Sequence, residues 1–152
     1  MNGGHIRMVH PVNLADPLVR LAQKQPFGVA VIVNMRPVHF ASLNTLVWKA
    51  AGHLFDLVQN HGGNHDALVA FRFQDPFLHL VYALGAFRVG LAHTALFSRW
   101  PDLMSLGVLK HVKPICILGD KDWSADSHTM ELTSLENLSK RDARVEPGLH
   151  RA

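Results

Sequence analysis

Apolar and polar positions follow two different rhythms along this chain, and each change of rhythm marks an element. Between residues 43 and 58, Leu43, Leu46, Val47, Ala50, Ala51, Leu54, Leu57 and Val58 recur at steps of three and four. That spacing gathers them on one stripe about 100° wide, as a core-facing helix requires. Ser42 reads as its cap and Gly62-Gly63 as its stop. Elsewhere the apolar positions come in short β-branched runs that predict strands: Gly28 to Asn34, Ala67 to Phe73, Leu91 to Phe97 and Pro114 to Leu118. The first and last of these are almost wholly apolar and are expected to be buried.

Turn chemistry fills in the connections. Asn13, with Asp16 three residues later, reads as the cap of a short helix carrying Leu14, Leu18, Leu21 and Ala22 on one face, ended by Gln25-Pro26. Met35-Arg36-Pro37 reads as a turn into a short partner strand, Val38-His39-Phe40. Asp75-Pro76 is a cap followed by a first-turn proline, predicting a helix to about Val89 before Gly90. Another helix is expected over Pro101 to His111, with Leu103, Met104, Leu106 and Val108 available for burial. Strand and helix in alternation, joined by short connections, argue for right-handed βαβ units: an α/β fold with a mostly parallel sheet flanked by helices. Residues 1–12, with Gly3, Gly4 and Pro11, read as a lead-in, and 13–119 as the α/β domain. Residues 120–152 turn polar; they read as a flexible tail that stays out of the sheet, with one short helix around Met130 to Lys140.

The order of these segments carries a resemblance. Asn13-Leu14-Ala15-Asp16 opens the first helix, Val29-Ala30-Val31-Ile32 forms the first strand, and Phe40-Ala41-Ser42-Leu43 runs into the long helix. Asp66-Ala67-Leu68-Val69-Ala70 leads a strand out of a turn, and Asp75-Pro76 opens a helix ending in Leu84-Gly85-Ala86-Phe87-Arg88-Val89-Gly90. Arg99-Trp100-Pro101 opens the next helix, and Lys113-Pro114-Ile115-Cys116-Ile117-Leu118 forms the strand that follows. Together these resemble the N-terminal subdomain of the adenylate-forming superfamily, which comprises AMP-dependent acyl-CoA synthetases, acyl-AMP ligases and adenylation domains. The chain departs from that pattern at Ala95 and Ser98, where the family usually has prolines, and at Ala67, where it usually has arginine.

The resemblance implies an N-terminal fragment or split subunit of an acid-thiol or acyl-AMP ligase. The family's Ser/Thr/Gly-rich phosphate loop, its acidic ATP-binding motifs and its C-terminal lysine lie beyond the matching region. The chain alone is therefore expected to be inactive in adenylation. No catalytic, cofactor-binding or metal residue is carried over, and ATP, Mg and CoA are implied only for a complete family member. The alternative is a stand-alone interaction or oligomerising module that kept the fold and lost the chemistry, with a protein partner or self-association through exposed apolar surface. A weaker third reading is a small-molecule site at the strand ends near Asp120.

Composition narrows these readings. Of 152 residues only 18% are charged, which excludes a disordered chain as the overall class. The net charge of +3 is spread thinly, with no basic stripe for nucleic acid. The most apolar stretch, Leu80 to Phe97, is broken by Arg88, His93, Gly85 and Gly90 and does not read as a membrane span, so a cytoplasmic protein is expected. Cys116 lies in an apolar run and reads as an inert small hydrophobe. His61 and His65 have a metal-like spacing, but Gly62 and Gly63 between them argue against one helical face. His39, His79 and His93 read as satisfied or surface groups, Trp48, Trp100 and Trp123 as partly buried rings, and Asp120-Lys121-Asp122 as a solvated turn. Lys121, Lys140 and Arg141 match no motif.

Overall fold

The computed structural model describes residues 13–123 and 130–142. It opens with helix α1 (Asp16–Lys24), a hairpin of β1 (Val29–Val33) and β2 (Arg36–His39), and the long helix α2 (Phe40–Asn60). There follow β3 (Leu68–Arg72), α3 (Pro76–Val89), β4 (Ala92–Ala95), α4 (Asp102–Val112) and β5 (Cys116–Gly119). The last elements are β6 (Met130–Leu132) and α5 (Leu135–Ser139). Four strands form one sheet in the order β4-β3-β5-β6, and every pair in it is parallel. The sequence-based expectation of an α/β fold with a parallel sheet is met.

The two faces of that sheet are unequal. Val69, Phe71 and Leu118 join α2 and α3 in the large core, which also takes in Leu54, Val81 and Tyr82. Ala70, Ile117, Leu96 and Leu109 form a smaller core under α4. Helices α2 and α3 pack tightly: a β-carbon added at Gly85 would lie 3.0 Å from both Ala50 Cβ and the Ala51 amide nitrogen. A small residue is what lets these backbones meet. Asp75 accepts a hydrogen bond from the Phe77 amide at 2.8 Å and so caps α3, with Pro76 at its first position. Gly90 ends α3 in the left-handed conformation, φ 68°.

Several expectations are corrected. The run Gly28 to Asn34 does not become a buried strand of the main sheet. Its strand β1 pairs antiparallel with β2 in a separate two-stranded sheet, and Ile32 is 67% exposed while Val31 and Val33 pack on the core. The turn falls at Asn34-Met35, both at positive φ, because a two-residue hairpin loop whose twist matches its strands demands that conformation. Helix α2 starts at Phe40, with His39 at the cap position, so Ser42 lies inside the first turn and is exposed. Helix α1 starts at Asp16 with Ala15 at the cap position; Asn13 accepts from the Ala15 amide and donates its side-chain amide to Phe87 O, which pins α1 to the end of α3. In α4 the buried residues are Ser105 and Leu109, whereas Leu103 and Met104 face outward, because only a narrow stripe of this helix meets the sheet.

The polarity of the segment after residue 119 predicts that it stays outside the sheet. Met130–Leu132 instead adds the fourth parallel strand against β5, with Ile117 opposite Met130. Three residues with a central glutamate give no apolar run, so the pairing shows only in three dimensions. The expected short helix is present as α5, capped by Ser134, with Leu138 fully buried. The lead-in 1–12 and the tail beyond 142 lie outside the described residues.

Candidate functional site

In an open parallel sheet, ligand crevices form at the carboxyl ends of strands where the chain leaves in opposite directions. Here that place lies between β3 and β5, since the chain passes from β3 to β4 on one side and from β5 to β6 on the other. Asp120, singled out from the sequence, sits there. Its two carboxylate oxygens accept from the backbone amides of Gln74 and Asp75, each at 2.8 Å. A carboxylate from the chain itself thus occupies the donors that an incoming anion would use. The strand ends are also crowded: a β-carbon on Gly119 would lie 2.6 Å from the Arg72 carbonyl oxygen.

On the α4 side of the same strand ends lies a cluster that the sequence reading did not assemble. The guanidinium of buried Arg72 stands 4.3 Å over the Trp123 ring, whose indole N–H donates to Asp102 Oδ1 at 2.9 Å. Arg72 Nη2 is 3.9 Å from that same oxygen. Among the described residues, Arg72 Nε and Ser105 Oγ are buried without a hydrogen-bond partner. The cluster ties α4 to β3 and holds Trp123 as part of the packing.

The histidines are dispersed. His61 pairs with Glu131 at 3.2 Å and His65 with Asp66 at 3.3 Å, so this spaced pair turns to separate partners. His93 stacks on Phe71 with ring centroids 4.9 Å apart, and His79 meets Phe71 and Phe73 edge-on. Burial lowers the pKa of both, and His79 lowers that of His93 further. Among the described residues no group of three or more His, Cys, Asp or Glu is placed to hold a metal ion.

One histidine was missed. His53, on α2, lies three positions after Ala50 and four before Leu57, so the stripe itself marked it. Its Nδ1 is 2.6 Å from the Tyr82 hydroxyl, which is 3.0 Å from Thr133 Oγ1. Burial, with a smaller effect from Arg141, lowers the His53 pKa to about 4, and burial raises that of Tyr82 to about 12. Both groups are neutral at pH 7, and the chain of hydrogen bonds joins α2, α3 and the β6–α5 segment. A small cavity of about 160 Å³ beside it is lined by Lys49, Gly52, His53, Asp56, Arg141 and Asp142. Lys49 donates to the Ser139 carbonyl, and Arg141 lies 3.9 Å from Asp56, so these charges also hold α5 on α2.

The remaining candidates have packing roles. Arg88 is buried, donates to Ala15 O at 3.1 Å, and lies 4.3 Å over the Trp48 ring. Trp100 meets Phe97 edge-on at 4.9 Å. Gly62 ends α2 at φ 71°, and a β-carbon at Gly63 would lie 2.5 Å from Ile115 Cδ1, so this pair serves termination and close packing. Cys116 is fully buried, and burial, with Glu131 nearby, pushes its thiol up to about 12. Among the described residues no helix is long and apolar enough to cross a membrane.

No family model and no curated protein matches the sequence. Solved structures do match the fold. The N-terminal subdomain of Klebsiella oxytoca NpsA in complex with 3-hydroxybenzoyl-AMSN superposes with a TM-score of 0.70 at 18% identity, covering 84% of this chain and 31% of that one. NpsA in complex with 3-hydroxyanthranilyl-AMSN gives 0.71 at 18% identity, over 89% of this chain and 27% of NpsA. The nonribosomal peptide synthetase FmoA3 gives 0.71 at 15% identity, over 88% of this chain and 15% of that one. The chain spans about a third or less of the NpsA structures' length. It shares its fold with part of the N-terminal subdomain of NpsA.

Proposed function

We propose that this chain acts as the N-terminal portion of an adenylate-forming acyl ligase, providing scaffold rather than reacting groups. The supporting observation is the lopsided match: most of this chain superposes on an adenylation-domain subdomain and accounts for under a third of it. ATP, Mg and CoA belong, on this reading, to the complete assembly, as does selection of the carboxylic acid. The residues at the strand ends are engaged with one another: Asp120 with two backbone amides, Asp75 with its own helix, Arg72 with Trp123. An incoming triphosphate would have to displace them. The isolated chain is expected to give no ATP–pyrophosphate exchange with any member of a panel of aliphatic and aromatic acids. Exchange above background, lost on heat inactivation, would overturn the reading.

A second reading, a stand-alone interaction module, is favoured by a specific feature: Phe27, Ile32, Met35 and Leu103 are each more than 60% exposed. Phe27, Ile32 and Met35 lie in or beside the β1–β2 hairpin, and on this reading they form the apolar patch that a partner covers. Failure of the chain to bind a hydrophobic dye would count against it.

A further inference from the structure

Backbone groups at a sheet edge seek partners, and folded proteins guard such edges with charge, proline, bulges or a cover. Among the described residues, the main sheet has two edges, and they differ in this respect. At one edge, β6 carries Glu131, which is paired with His61. The other edge strand, β4, reads Ala92-His93-Thr94-Ala95 and contains no charged residue at neutral pH and no proline. Leu96 donates its amide to Phe71 O, and direction alternates along a strand. Ala92 and Thr94 therefore direct their backbone groups to β3, and His93 and Ala95 direct theirs outward.

We propose that β4 pairs antiparallel with β4 of a second copy of this chain, with a two-fold axis passing beside Thr94, so that two four-stranded sheets join into one. The register follows from the outward groups. About that axis His93 of one copy faces Ala95 of the other, and each such pair exchanges two N–H···O=C bonds, making four in all. Thr94 then faces Thr94 of the second copy as the non-hydrogen-bonded pair, a favourable cross-strand combination. With no charge on the strand, the approach carries no like-charge repulsion. Four hydrogen bonds are a short ladder, and apolar cover on each side completes the surface. Phe87, at the end of α3, touches His93 on one face of the sheet, with ring centroids 5.3 Å apart. Phe97, two residues past the end of β4, is exposed, and Leu103 and Met104 stand outward on α4, the helix of the other face. A closed isologous contact of this kind uses every exposed group of the edge in both copies.

The dimer concerns the 152-residue chain by itself and does not depend on the ligase reading. Sedimentation from micromolar to sub-millimolar concentration is expected to show a reversible shift from 16.9 kDa to twice that mass. Ala95→Pro removes an outward amide and leaves the contacts to β3; Thr94→Lys places two like charges at the axis. Each is expected to weaken association at least about tenfold, a loss of about 1.4 kcal/mol, with unchanged circular dichroism showing that the fold persists. Thr94→Cys provides a positional readout. Non-hydrogen-bonded antiparallel pairs hold their Cα atoms about 4.5 Å apart, within the range a disulfide spans. Under oxidised glutathione, which takes up the two electrons, this variant is expected to form a covalent dimer while buried Cys116 stays a free thiol. A chain that remains monomeric at sub-millimolar concentration and forms no Thr94→Cys cross-link overturns the proposal. So does a dimer that both Ala95→Pro and Thr94→Lys leave intact.

Discussion

At the scale of single residues, the polar groups in the core set how this protein responds to pH and substitution. His53 is the clearest case. Well above pH 6.5 its imidazole is neutral in both the folded and unfolded states, and it costs nothing. Between pH 6.5 and about 4 the unfolded chain binds a proton that the buried ring cannot accept, so stability falls as pH drops. Between pH 7 and pH 5 this single group is expected to remove about 2 kcal/mol, read as a drop in urea midpoint, and His53→Gln should flatten that slope. The hydroxyl it faces has a separate signature. Tyr82→Phe strands His53 and Thr133, which is expected to cost about 1–3 kcal/mol at pH 7. Asp120→Ala leaves two backbone amides at the start of the β3–α3 connection without an acceptor, with an expected loss of the same order in chemical denaturation. A loss well below 0.5 kcal/mol would show instead that water satisfies these donors.

At the scale of elements, the sequence was most legible where burial and spacing agree. The stripe on α2, the Asp75-Pro76 start of α3, its stop at Gly90 and the strands β3, β4 and β5 all follow from local patterns. What local pattern could not reveal is where elements meet. The run GVAVIVN reads as a buried strand, yet β1 buries only one face, because its partner is the adjacent β2 and not the sheet. Strand β6 has no apolar run because β5 supplies the neighbour it needs. On α4 the apolar residues outnumber the positions that touch the sheet, so sequence alone could not say which would be covered. The strand ends were legible in part: Asp120 stood out, but its role as acceptor for Gln74 and Asp75 depends on β3 and β5 lying side by side. The α2–α3 contact makes its own prediction. Ala in place of Gly elsewhere in a helix would add about 1 kcal/mol, but Gly85→Ala meets backbone at 3.0 Å and is expected to lower stability by about 1–3 kcal/mol, measured by thermal unfolding.

At the scale of the whole molecule, the fold is a parallel sheet with a thick core on one side and a thin one on the other. The thin side, under α4, holds four buried apolar residues and the Arg72–Trp123 contact. It should open before the α2–α3 side, so amide exchange in α4 is expected to be faster than in β3 or α2. Equal protection across these elements would instead indicate one cooperative unit. The position of the lone thiol adds a further consequence. Cys116 sits in the middle of the sheet with no exposed surface and a thiol reluctant to ionise, so an alkylating reagent must wait for β5 to part from its neighbours. The chain thus contains its own single-site clock: the rate at which iodoacetamide silences that sulfur times the openings that expose β5, without any label having to be introduced.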